Sequence, residues 1–279
     1  MAQTFSELLE ADASGEISVI YTEMRRAYGV PYVSSLQRHL ATYPGVLEFT
    51  WAVFRPGFLS GLIPETAWQL GAQIDEPPLP KLSRTMLRDM GVQDADEKVI
   101  RAVCATFVRV APVNLLFAGA LRRVVLGEAW PDGPPISDPD WQPPDALPSP
   151  PSMVVVEDLP KDQRQTLLTL STPLGQQTLV PGLYRMLANW PGYLSWVAEA
   201  LAPRFHDAAV RDRFEELAAH IDACAVDILA RLPVPPDGLT APDAVTAQKI
   251  VDAILTYRRT SPEMIVFGSL LLNALPDLD

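Results

Sequence analysis

Apolar residues along this chain recur every three to five positions over long windows. Val99, Val103, Phe107 and Val108 follow that spacing, and so do Phe214, Leu217, Ile221 and Ile228. Such a period gathers side chains on one face of a helix, whereas the strict alternation of a half-buried strand is nearly absent. The one β-branched run, Met153-Val154-Val155-Val156, is too short and too isolated to begin a sheet. The expected fold is all-α.

Proline and glycine divide the helical pattern. Pro31, Pro44, Pro64, Pro112, Pro191, Pro203, Pro242 and Pro262 each suit the first turn of a helix, where the missing N–H is not needed. Thr240-Ala-Pro-Asp243 and Thr260-Ser-Pro-Glu263 read as capped starts with an acid near the positive helix end. Gly57, Gly61, Gly91 and Gly127 read as stops or tight turns. Between Trp130 and Pro160 prolines crowd the chain, Pro139 among them, and favour extended structure. Trp141 and the Met153–Val156 run are apolar, so this connector is expected to lie along the folded surface.

The chain also repeats itself. Leu40-Ala-Thr-Tyr-Pro-Gly-Val-Leu47 returns as Leu187-Ala-Asn-Trp-Pro-Gly-Tyr-Leu194, an offset of 147 residues that also relates Pro56 to Pro203. Arg109-x-x-Pro112-x-x-x-x-Phe117 returns as Arg259-x-x-Pro262-x-x-x-x-Phe267, an offset of 150. Two echoes in one order at nearly one offset indicate a tandem duplication. The expected organisation is an N-terminal helical repeat over 1–129, a proline-rich connector over 130–157 and a C-terminal repeat over 158–279, packed about a pseudo-twofold. A cleft between such halves is the first place to look for a ligand.

Composition narrows the classes. With 279 residues and 48% hydrophobic side chains there is enough material for a sizeable core in each half. A formal charge of −12 and a pI near 4.7 disfavour nucleic acid and anionic membranes as partners. Cys104 and Cys224 lie in apolar helical patterns and are expected to be reduced thiols. No basic stretch followed by an apolar run opens the chain, and the uncharged runs Val110–Leu121 and Met264–Pro276 fall short of a membrane span. A cytoplasmic protein is the expectation.

Local catalytic motifs can be eliminated. The chain has no Gly-x-Gly-x-x-Gly, phosphate loop, Gly-x-Ser-x-Gly or His-Glu-x-x-His. Three scattered histidines, His39, His206 and His220, suggest no metal cluster. His39 reads first as a packing or capping residue, and His206 and His220 as solvated helix residues. Neither a metal nor a cofactor is expected.

The run Val30-Pro31-Tyr32, followed by the two Leu-Ala-x-aromatic-Pro-Gly segments, resembles the group I 2-haloacid dehalogenases, and Ser14-Gly15-Glu16 with Tyr21 is similar to that family's start. The resemblance covers nearly the whole chain. It implies an all-helical duplicated fold and a pocket at the pseudo-twofold, where an aspartate activates water to displace halide next to a carboxylate. The residue four places before Leu187 is the one matching that aspartate, and here it is Leu183, which cannot accept a proton. No Asp or Glu occurs from Leu179 to Trp196, so no local slip restores the base. Other family positions fall at Ser35, Ser60, Pro64 (with Glu65 adjacent), Ala111 (with Asn114 three residues on) and Gly182. The scaffold matches and the chemistry does not.

The residues that would line an inter-repeat pocket are Tyr32, Ser34, Ser35, Ser60, Arg109, Asn114, Gly182, Leu183, Tyr184, Arg185 and Arg259. Arg109 and Arg259 are repeat-equivalent and could clamp a carboxylate, or each could pair with an acid, Arg259 with Glu263 one turn on. Three readings stay open. One is an enzyme with altered chemistry on a small organic, carboxylic substrate, with Tyr32, Tyr184, Glu65 or His39 as acid or base. The second is a non-catalytic binder of a small molecule such as a carboxylate. The third is an oligomeric assembly subunit, a homodimer for instance.

Overall fold

The computed structural model describes residues 6–136, 140–174, 177–235 and 238–277. Its helices are α1 (Gly15–Tyr28), α2 (Ser35–Leu40), α3 (Val46–Leu59), α4 (Leu62–Gly71), α5 (Arg84–Asp89) and α6 (Asp94–Val125), then α7 (Lys161–Leu168), α8 (Gly182–Leu187), α9 (Pro191–Phe205), α10 (Ala208–Arg231) and α11 (Ala244–Ala274). A short hairpin, β1 (Thr172–Leu174) with β2 (Gln177–Leu179), stands between α7 and α8, antiparallel with Thr172 opposite Leu179. The fold is all-α with this one addition among the described residues. Three-residue strands carry too little alternation to be read from sequence.

Helix bounds recur at the offsets found in the sequence. Ser35–Leu40 of α2 lies 147 residues before Gly182–Leu187 of α8, and the start of α6 at Asp94 lies 150 before that of α11 at Ala244. These two long helices form the most extensive helix–helix contact, and α10 packs on α6 beside them. Both are well started. In α6, Gln93 and Asp96 form a reciprocal cap, acids fill the first turn, and Arg122 and Arg123 occupy the last, as the helix dipole favours. In α11, the Asp243 side chain accepts from the N–H groups of Val245 and Thr246. α6 has the length and hydropathy of a membrane span, yet 67% of that apolar window is buried against the rest of the chain, as befits the central helix of a packed fold.

Several boundary expectations are corrected. Pro112 and Pro262 lie inside α6 and α11, so Thr260-Ser-Pro-Glu263 is mid-helix, and Pro203 lies inside α9 near its end. The expected start at Thr240 shifts to Asp243. Gly57 sits within α3 and packs against Ile63 and Leu232. An internal proline deprives the carbonyl four residues back of its donor and pushes on the preceding turn. In α6 the Trp68 indole N–H meets that disturbed turn, donating to the Arg109 carbonyl at 2.9 Å. Gly71 permits this close crossing, since a Cβ there would stand 3.0 Å from Pro112 Cβ.

The connector is tied down along its length. Trp130 Nε1 donates to the Leu232 carbonyl at 3.3 Å, Trp141 Nε1 to Glu65 at 2.7 Å, and the Leu147 N–H to the Gly29 carbonyl at 3.1 Å. Asn189 Nδ2 reaches the Ser152 carbonyl at 3.0 Å. Pro139 lies outside the described residues. Buried apolar side chains from Ile20 to Leu275 join in one cluster, so both halves and the long helices share one core. Cys104 is buried and Cys224 half-buried, both as free thiols, and burial pushes the Cys104 thiol up to about 12.

Candidate functional site

The expected site residues fall into distinct surroundings. Leu183 and Tyr184 on α8 are fully buried, and Gly182 packs against Phe107 and Met153. Nothing polar from Leu183 reaches a cavity, as its side chain already implies. Asn114 on α6 joins a buried network with Tyr28, Ser34 and Gln37. Tyr28 donates to Asn114 Oδ1 at 3.2 Å, Gln37 Nε2 to the Tyr28 hydroxyl at 2.8 Å, and Ser34 is bonded to Gln37. Tyr32 borders the same cluster across a void of about 10 Å³, and burial raises its phenol. Ser35 bonds the hydroxyl of Tyr257.

Arg109 serves the connector. Its Nη1 donates to the Gly29 carbonyl at 2.6 Å and the Asp145 carbonyl at 2.8 Å, and burial lowers its pKa. Gly29 ends α1 with φ +61°, a conformation that suits glycine. Arg185 holds the Val154 carbonyl at 3.1 Å, Glu65 is taken by Trp141, and His39 contacts the Ser6 carbonyl and the edge of Tyr43. Ser60 borders a groove of about 650 Å³ between α3, the connector and α10, walled by prolines and aliphatics with Arg231. Arg109 therefore stands apart from Arg259, which lines a different opening.

That opening holds the most reactive-looking arrangement among the described residues. A cleft of about 820 Å³ opens between α10, α11, the end of α9 and β1. Its wall carries Phe205 and Phe214, each with its ring centroid 5.2 Å from Phe267 beneath. Arg204, Arg211, Arg258 and Arg259 surround it together with Asp212, Glu215 and Glu216. Glu263 also lines it, although this residue is only 3% exposed. Thr172 Oγ1 donates to Glu263 Oε2 at 2.5 Å and the Tyr184 hydroxyl to Oε1 at 3.0 Å. No ion pair joins Arg259 to Glu263 among the described residues. Burial outweighs the two hydrogen bonds and raises the Glu263 carboxyl from 4.5 to about 7. A carboxyl poised there can give or take a proton near neutrality.

The cleft also adjoins a crevice against α6. That crevice, of about 340 Å³ between α6, α10 and α11, shares Leu255 and Arg258 with it. Asp222 on α10 ties the three helices, accepting from Arg258 at 3.0 Å and Arg123 at 3.4 Å. Tyr184 lies 147 residues after Gln37, and each sends its polar group from a short helix to the middle of a long one, Gln37 to Asn114 and Tyr184 to Glu263.

Known proteins resemble the chain in sequence and in fold. No family model matches the chain. A configuration-inverting 2-haloacid dehalogenase of Alcaligenes xylosoxydans xylosoxydans is 30% identical over 121 residues, 43% of this chain and 40% of that relative, so the match spans less than half of the relative's length. Among solved structures, a D-2-haloacid dehalogenase in complex with L-LA superposes with TM-score 0.70 at 22% identity, covering 98% of this chain and 97% of the other. A mutant in complex with D-2-CPA gives TM-score 0.69 at 21% identity over the same shares. The chain shares its fold with the D-2-haloacid dehalogenases and part of its sequence with the configuration-inverting enzyme. Its all-helical scaffold is that of the D-2-haloacid dehalogenases, end to end.

The residues that sequence reasoning passed over are Glu263 in its site role, Thr172 and Arg204. Glu263 carried a visible signal, as the lone charge in the stretch from Ser261 to Leu272, but the preceding proline made it read as a helix start. Thr172 and Arg204 come to the cleft from a hairpin and a helix end with no sequence mark.

Proposed function

We propose that this chain is a diverged 2-haloacid dehalogenase-like protein that takes a small organic carboxylate beside the seam of its two halves, with altered chemistry. In this reading the halves are the repeats 1–129 and 158–279, and the protein works in the cytoplasm. The observation that carries it is the buried Glu263 carboxyl in a cleft ringed by four arginines. Arginines recognise a carboxylate by paired, charge-assisted hydrogen bonds. Glu263 is the group there able to move a proton at neutral pH, whereas Leu183, read from the sequence resemblance as the counterpart of the family's aspartate, is fully buried and has no group that accepts a proton. Direct hydrolytic displacement at position 183 is thereby lost.

The test pairs binding with turnover. Racemic 2-chloropropionate is titrated into the protein by calorimetry, and halide is measured over hours in the same mixture. Saturable binding without halide above the protein-free rate is expected. Catalytic halide release would overturn the loss of hydrolysis, and an absence of any saturable heat would overturn the carboxylate pocket.

A further inference from the structure

The cleft is larger and more aromatic than a three-carbon acid requires. Its volume of about 820 Å³ lies in the range of pockets that enclose ligands many times that size. Phe205 and Phe214 are half-buried on its wall, and Phe267 backs them both at 5.2 Å. Rings held so firmly from behind offer a fixed surface for stacking or edge contact with another ring.

The polar side of the cleft is equally particular. Arg204 Nη1 is buried and has no hydrogen-bond partner, a state that leaves a charged donor unsatisfied unless something else supplies the acceptor. Arg258 is already engaged with Asp222. With Arg258 set aside, Arg204, Arg211 and Arg259 balance the exposed Asp212, Glu215 and Glu216, so the rim is near neutral. Phosphate-bearing ligands, with two or more charges, fit that balance poorly, and a monoanion fits it well.

We propose that this cleft binds an aromatic monocarboxylic acid, its ring against Phe205 and Phe214 and its carboxylate on the unpaired Arg204. This deepens the reading of the chain as a carboxylate-binding relative of the dehalogenases and rests on it. The acid group lies at the Arg204 end of the wall, and the carbon next to it faces the floor where Glu263 is held by Tyr184 and Thr172.

Three probes and one variant decide it: 2-phenylpropionate, propionate and 2-phenylpropanamide, titrated calorimetrically into the full chain and into Arg204→Gln. The phenyl acid is expected to bind about tenfold or more tightly than either propionate or the amide, since it alone makes both the ring contact and the charged hydrogen bond. Arg204→Gln should remove that advantage while melting at the parent's temperature, because the lost nitrogen bonds nothing in the free protein. Propionate binding as tightly as the phenyl acid would overturn the aromatic class and leave the carboxylate pocket standing. An amide as tight as its acid, or binding that survives Arg204→Gln, would overturn the anchor. Failure of both acids to bind would remove the proposal together with the reading beneath it.

Discussion

At the scale of single residues, Glu263 links stability to pH. Thr172 and Tyr184 donate to it, Arg259 stands one turn away on the same helix, Arg204 faces it from α9, and Arg211, Asp212, Glu215 and Glu216 face the cleft from α10. The four on α10 are exposed and screened by water, so burial dominates and the carboxyl titrates near 7 in the fold against 4.5 as a free group. The folded chain thus binds more protons than the unfolded one between those values. Glu263's contribution is fully present below about pH 4.5 and is lost as pH climbs through about 7. The difference in unfolding free energy between the parent and Glu263→Gln should therefore change by about 3 kcal/mol in favour of the variant from pH 4 to pH 8. Urea melts at several pH values measure it, and a flat difference would place the carboxyl at an ordinary pKa.

At the scale of elements, the long helices with a proline inside them are the feature most specific to this sequence. A proline inside a helix costs about 3 kcal/mol or more, and α6 offsets part of that through the indole of Trp68. Trp68→Phe keeps an aromatic side chain and removes the donor to the Arg109 carbonyl, and a loss of about 1 kcal/mol is expected in denaturant melts. An unchanged midpoint would mean that the turn before Pro112 does not depend on the indole. The same prolines mark what sequence could and could not tell. Spacing of Val99, Val103 and Phe107 revealed a helix, and the recurrence of Arg-x-x-Pro revealed that two helices correspond. Proline's preference for a first turn then placed their starts inside them, because tertiary packing, here α4 crossing at Gly71 and Pro112, overrode the local rule. The site was hidden for a related reason. Leu183 could be singled out by position within a recurring segment, but Glu263, Arg204 and Thr172 come from α11, α9 and β1, and only the packing of those elements brings them to one cleft.

At the scale of the whole molecule, the recurring sequence segments and the single core pull in opposite directions. Tandem copies commonly fold as separate units, yet here the buried cluster runs without a break from Ile20 to Leu275. The two longest helices, one from each half, bury their faces chiefly on each other. α6 carries Val113, Leu116 and Phe117, and α11 carries Ile265, Phe267 and Leu271, all at 0–1% exposure. The connector adds ties at Leu232, Glu65, Gly29 and Asn189. The chain should accordingly unfold in one transition, with tryptophan fluorescence and far-ultraviolet dichroism tracing the same curve in urea. Trp51 and Trp68 report on the first half, and Trp190 and Trp196 on the second, so non-coincident curves or a plateau would show halves that separate before they melt.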